Sequence, residues 1–265
     1  MITFDKIVSK LLKQKSELLN MYDIGRIFDP DFSPNDRKHL LEIYKLIYRL
    51  KASKVIFPIR NSLYYISWWE DVSLAEILDS DYWKIVKKLI KDETWWKYLV
   101  GGKKSLEIHM KDYSIHNKLI VYTKDVQKII TVNWDLKVYF KIFKPWKSSS
   151  KTSFNHVFES YSEIFHFEWI NLKVANKELS ILDSLLLSEK NAWIDDYLIK
   201  KFLSKYYKSL SRPILWKLVK IKYISSINRL RTISKNLNYT HLYEDCLDVI
   251  KVEWANCFLT LWSKS

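Results

Sequence analysis

A chain of 265 residues that is 48% hydrophobic and 28% charged can bury a sizeable core, and this balance excludes a disordered polymer. Its 44 lysines and arginines against 30 acids leave a formal net charge of +14, which implies a polyanionic partner, either nucleic acid or an acidic protein. No run reaches the ~18 apolar residues of a membrane span, Met1–Lys6 lacks the apolar core of a leader, and Cys246 and Cys257 fit no zinc or disulfide framework. A cytoplasmic protein with reduced thiols and no membrane partner is the expectation.

Phe4, Ile7, Val8, Leu11, Leu12, Leu18 and Leu19 recur at helical spacing, which predicts an amphipathic helix over 3–20. A shorter helix follows over Met21–Phe28, weakened by Gly25. Asp29–Pro34 is a turn, and Ser33 before Pro34 reads as an N-cap followed by proline at the first helical position, so a third helix runs from Pro34 to about Lys51. Its apolar stripe is Leu40, Ile43, Tyr44, Ile47 and Leu50, and its outer row is Lys38, Glu42, Lys45 and Arg49. Two β-rich runs, 54–57 and 63–66, joined by a polar turn predict a hairpin. Three helices and a hairpin in this order predict a winged helix-turn-helix DNA-binding domain over residues 1–70. Its expected contacts with double-stranded DNA are Asn35 and Arg37 at the helix start, Lys38, Lys45 and Arg49 on the outer row, and Arg60 and Asn61 in the wing.

Residues 80–265 read as an α+β domain with a small sheet and a helical C-terminal part. A helix is predicted around Tyr82–Lys91, and Gly101-Gly102 opens another that runs to Met110. The stretches 119–122, 129–132 and 136–143 are strand-like, the last alternating Leu136, Val138, Phe140 and Ile142 with Lys137, Tyr139 and Lys141. Glu163–Val174 holds another strand or two, and helices return over 178–187, 195–208, 213–222 and 224–236. Tyr197–Lys235 carries eleven positive charges and no acid, a surface suited to an acidic partner or DNA.

The chain offers little catalytic chemistry. Gly101-Gly102-Lys103 lacks the spacing of a phosphate-binding loop and reads as a tight turn. Asp135-Leu136-Lys137 matches half of a metal-dependent nuclease site and leaves a DNA-targeted nuclease as the alternative from another class; a ligand-responsive transcription factor is the third reading. The six histidines form no ligand set or triad. No catalytic residue, metal or cofactor is expected. One compositional feature is unusual: 3 glycines against 12 tryptophans, several of them in turn contexts. This suggests UGA codons that the source organism reads as glycine; real tryptophans in an AT-rich genome are the alternative.

Three segments resemble the AbiEi family of abortive-infection antitoxins. Phe57–Tyr65 is similar to its R-x-G-x-Y wing, with Ser62 where glycine is usual. Tyr98–His109 looks like its Y-x-x-G-x-x-A-L-x-x-H segment, with Ser105 for alanine. Leu172–Asp183 is similar to its V-A-x-x-E-K-A-L-x-D helix start, and Ile227–Ile233 to a later R-L-G-x-L helix that lacks its glycine here. The resemblance implies a type IV antitoxin that represses its own toxin–antitoxin operon. It would oppose a nucleotidyltransferase-like toxin without stable binding. On that reading the antitoxin surface is formed by Lys200, Lys201, Lys205, Lys208, Arg229 and Arg231.

Overall fold

A computed structural model describes residues 3–14, 17–67, 73–114, 117–132, 136–145, 149, 152–167, 170–191 and 196–252. It is a mixed α/β protein with, among the described residues, twelve α-helices, a three-stranded sheet and a six-stranded sheet. None of the described helices is long and apolar enough to cross a membrane. The chain divides into two compact units, Met1–Leu89 with Thr131–Lys137, and Ile90–Ile130 with Val138–Ser265.

The first unit runs α1 (Phe4–Leu12), β1 (Leu18–Asn20), α2 (Met21–Phe28), α3 (Arg37–Ala52), β2 (Ile56–Arg60), β3 (Leu63–Ile66) and α4 (Leu74–Ser80), then enters α5 (Tyr82–Thr94). The long first helix expected from the sequence is therefore cut short. Leu18 and Leu19 leave the helix to pair with Tyr65 and Tyr64, so β1 joins β3 and the sheet order is β1-β3-β2, antiparallel throughout. Ile7 and Leu11 of α1, Ile24 of α2, Ile43, Leu46, Ile47 and Leu50 of α3, and Ile56, Tyr64 and Ile66 of the sheet form one core. The unit reaches well beyond the hairpin that ends at Ile66. Tyr65 donates its hydroxyl to Asp81 at 2.7 Å, and Lys84 bridges Asp81 (2.7 Å) and Glu17 (2.8 Å). These contacts tie the start of α5 back to the sheet.

The second unit holds β4 (Tyr98–Gly101), α6 (Gly102–His109), β5 (Lys118–Thr123), α7 (Phe154–Ser160), β8 (Ser162–Phe167), β9 (Ile170–Ala175), α8 (Lys177–Asn191), α9 (Asp196–Tyr206), α10 (Arg212–Ile221), α11 (Ile224–Asn236) and α12 (Thr240–Val252). With β6 (Lys128–Val132) and β7 (Leu136–Ile142) the strands form one sheet in the order β6-β7-β5-β4-β9-β8. Six strands make this a larger sheet than expected. The strand β4 sits inside it, antiparallel to β5 and parallel to β9. All four of its residues are buried, so it lacks the alternation that marks a half-exposed strand. Helix α8 is buried on every side from Leu179 to Leu185.

A carboxylate lies at the centre of this unit. Asp183 of α8 is fully buried. It accepts the Tyr122 hydroxyl at 2.7 Å, the Gly102 backbone N–H at 2.9 Å and the Tyr223 hydroxyl at 3.3 Å. Burial raises its carboxyl above the ordinary value, opposed by the Lys222 charge and by these three donors. Gly101 has to be glycine here: a Cβ would lie 2.5 Å from the Tyr122 ring and 3.1 Å from the Asp183 carboxylate. The glycine pair is thus a structural turn whose anion is the protein's own. Nearby, Lys104 is buried, paired with Glu107 at 3.2 Å, and donates to the Ser114 carbonyl at 2.5 Å, which staples the loop after α6.

Cys246 is a buried free thiol, pushed up to about 12 chiefly by burial; Cys257 lies outside the described residues. His109 is also buried. Its Nε2 meets the Ala175 carbonyl at 2.8 Å and its ring stands edge-on to Phe165. Desolvation brings its pKa down to about 4, against a contrary pull from the Ala175 hydrogen bond. The folded chain therefore resists a proton that the unfolded chain accepts near pH 6.5. Above that value His109 is neutral in both states and costs nothing. As pH falls from 6.5 through 4, stability declines by ~1.4 kcal/mol per unit, ~3 kcal/mol in all. Denaturant titrations between pH 7 and pH 4 should return that loss from His109. His109→Gln, which keeps a donor for Ala175 but cannot titrate, should lose less stability than wild type by about that amount.

Candidate nucleic-acid interface

Helix α3 is set by a short buried contact. α2 opens with a reciprocal capping box in which Asn20 accepts from Asp23 N–H (2.8 Å) and Asp23 accepts from Asn20 N–H (3.0 Å). At its far end Gly25 lies against Phe32, where a Cβ would come within 2.6 Å of the ring. Gly25 is therefore no weak point of the helix but the place where the following turn folds back. Phe32 stacks on His39 at 6.2 Å, and His39 Nδ1 accepts the Ser33 N–H at 3.3 Å. That clasp holds Ser33-Pro34-Asn35 as a turn. α3 begins at Arg37, capped by Asp36, whose carboxylate accepts the Lys38 N–H at 2.8 Å. The expected start at Pro34, with Ser33 as cap, is corrected by three residues, and Asn35 precedes the helix.

The helix is also rotated from its expected setting. Its buried residues are Ile43, Leu46, Ile47 and Leu50, whereas Tyr44 is 54% exposed. Exchanging Tyr44 for Leu46 in the core turns the helix by roughly half a residue step. The set 43, 46, 47, 50 is itself an i, i+3, i+4, i+7 pattern, so the signal was present in the sequence. The midline of the outward face now passes through Arg37, Leu41, Lys45 and Tyr48, with Tyr44 on one flank and Lys38, Glu42 and Arg49 on the other. Arg37, Lys38, Lys45 and Arg49 are all exposed, and the Arg49 guanidinium lies 4.5 Å from the centre of the Phe4 ring.

In the β2–β3 turn Asn61 is exposed and Arg60 half-buried. Ser62 adopts φ 64°, the left-handed conformation that favours glycine, and its carbonyl accepts the Met21 N–H at 3.1 Å. The turn is thereby fastened to the start of α2.

In the second unit Lys200, Lys201, Lys205 and Lys208 stand exposed on α9 and the turn after it. Among the described residues none of them pairs with a carboxylate; Lys205 and Lys208 lie 5.1 and 5.7 Å from the rings of Tyr206 and Tyr207. Two arginines of the basic run are occupied. Arg212 bridges Asp248 at 3.1 Å, Arg229 is half-buried and donates to the Leu185 carbonyl of α8, and Arg231 is half-buried. Among the described residues no three His, Cys, Asp or Glu side chains cluster as a metal site, and Asp135 of the D-x-K match lies outside them.

No family model and no curated protein sequence matches the chain. The fold is similar to the crystal structure of the RV2827C protein from Mycobacterium tuberculosis, with a TM-score of 0.56 over 93% of this chain and 78% of that chain at 10% sequence identity. At that identity the likeness concerns the fold alone.

Gly25→Ala tests the clasp. Its methyl displaces Phe32, and overpacking of this kind costs about 1–3 kcal/mol. Chemical denaturation of the full chain should register a loss in that range, and a smaller loss is expected for Asp36→Ala, about 1 kcal/mol for a lost cap.

Proposed function

We propose that this protein is a DNA-binding transcriptional regulator whose first unit is a winged helix-turn-helix and whose second unit carries an antitoxin activity of the AbiEi type. The observation that carries the first half is the order α1-β1-α2-α3-β2-β3 with sheet order β1-β3-β2 and a cationic outward face on α3. In such an arrangement α3 enters the major groove and the β2–β3 turn reaches the flanking backbone. Arg37 and Asn35 stand at the end of the helix that approaches base edges, while Lys38, Lys45, Arg49, Arg60 and Asn61 serve phosphate contacts.

The second half rests on the AbiEi-like segments. Their residues meet in the interior: Gly101 and Gly102 with Asp183, His109 with Ala175, and Arg229 with the α8 carbonyl of Leu185. These contacts give the resembling segments a shared structural role in the second unit. The protein then represses its own operon and opposes a nucleotidyltransferase-like toxin through the exposed lysines of α9.

Binding isotherms on the protein's own promoter at several salt concentrations test the DNA half. Arg37→Ala should weaken specific binding about ten- to a hundred-fold and relax sequence preference. Lys45→Ala should weaken all sequences alike and shallow the salt slope by about one unit. Wild-type behaviour from both variants would remove α3 as the reader. For the antitoxin half, reversing Lys200, Lys201, Lys205 and Lys208 to glutamate should abolish rescue from the toxin while leaving promoter binding intact; full rescue would remove this surface from the role.

A further inference from the structure

The outward face of α3 interleaves large apolar side chains with cations: Leu41 and Tyr48 share its midline with Arg37 and Lys45, and Tyr44 lies on one flank. Leu41, Tyr44 and Tyr48 are 52%, 54% and 75% exposed, spaced over two turns, with Arg37, Lys38, Lys45 and Arg49 around them. Large apolar side chains so exposed need an apolar counterpart in whatever the helix meets. The interleaved cations select a polyanion, and the one apolar group a polyanionic duplex offers in its major groove is the C5 methyl of thymine. We propose that Leu41, Tyr44 and Tyr48 read thymine methyl groups, so that the site contacted by the middle of α3 is rich in A·T pairs. This rests on the reading of α3 as a DNA-recognition helix.

The test begins with selection of bound duplexes from a random pool by the full-length protein. Thymine is then replaced by deoxyuridine at each enriched position, which removes the methyl and leaves the hydrogen-bonding edge intact. Each methyl in contact should be worth about threefold to fourfold in affinity, the value of one buried methylene. Leu41→Ala and Tyr48→Ala should erase the thymine–uracil difference and leave the salt slope unchanged. Enrichment with no thymine–uracil difference overturns this inference and spares the DNA reading. A pool that shows no binding at all overturns the DNA reading itself. Unaltered DNA binding by Leu41→Ala and Tyr48→Ala overturns this inference and spares that reading.

A second, independent observation concerns the tryptophans. Among the described residues they fall into two kinds. Trp83 on α5 is buried at 5% exposure against Tyr82, and Trp216 on α10 is half-buried with Lys220 3.6 Å above its ring. Trp95 and Trp96 follow the end of α5 in the left-handed conformation, φ 49° and 78°, and are 86% and 53% exposed. The residue just past a helix C-terminus is where glycine is most favoured, and a side chain there costs about a factor of ten in conformational equilibrium. Two consecutive indoles gain too little burial to offset that. Together with 3 glycines and 12 tryptophans in the chain, the geometry points to glycine at positions 95 and 96 of the native protein, encoded by UGA and read as glycine by its source organism. The gene sequence and peptide mass mapping of the chain from its own cells decide it. UGA at codons 95 and 96 with UGG at 83 and 216, and a peptide lighter by two indole side chains, is the expected result. UGG at 95 and 96, or a peptide with both indoles present, overturns the assignment.

Discussion

The second unit depends on one buried carboxylate. Asp183 takes hydrogen bonds from β5, from the first turn of α6 and from the residue that precedes α11, so four elements converge on two oxygen atoms. Burial pushes the carboxyl up, and the filled acceptor sites and the Lys222 charge oppose that push. Removing any single donor would leave a polar group stranded at a cost of about 1–3 kcal/mol. A hydrophobic substitute could fill the volume but could not fix direction. Helix α6 has no side-chain cap of its own, and Asp183 takes that place from eighty-one residues away. Its entry angle is therefore a tertiary property, set by α8.

The same logic explains which parts of the fold the sequence displays. Strands β5, β6 and β7 and the β2–β3 hairpin alternate or cluster β-formers between turn residues, and local chemistry suffices to find them. β1 and β4 are different. Three residues such as Leu18–Asn20 cannot exhibit a period, and Tyr98–Gly101 is buried on both faces and has no period to exhibit. Both are strands because a partner is present, not because of their composition. Two helices outside the expected elements carry readable signals: Ser73 and Glu76 form a capping box at the start of α4, and Leu242, Cys246, Val249 and Ile250 repeat at helical spacing in α12. For the candidate site, the exposed cations were legible as lysine and arginine at an amphipathic helix's outer positions. The outward midline was legible only in part: Ile43, Leu46, Ile47 and Leu50 hold helical spacing, but so does the set with Tyr44 in place of Leu46, and packing against the neighbouring elements decides between them.

That competition matters more than its half-step suggests. On the proposed DNA-binding reading, side chains on the midline of the helix reach base edges and those on the flanks reach backbone. With Tyr44 in the core, the midline would be a row of charges and the helix a largely electrostatic contact. With Leu46 in the core, Leu41 and Tyr48 join Arg37 and Lys45 in the middle, and Lys38, Glu42 and Arg49 move to the flank. The residues that make the choice lie before the outward midline: buried Gly25 and Phe32 and half-buried His39. Gly25 lets Phe32 close on α2, Phe32 holds His39, and His39 fixes the turn from which α3 departs. At Gly25 a single methyl group would push against the Phe32 ring and so disturb the turn from which α3 departs, which makes the clasp a determinant of what the outward face presents.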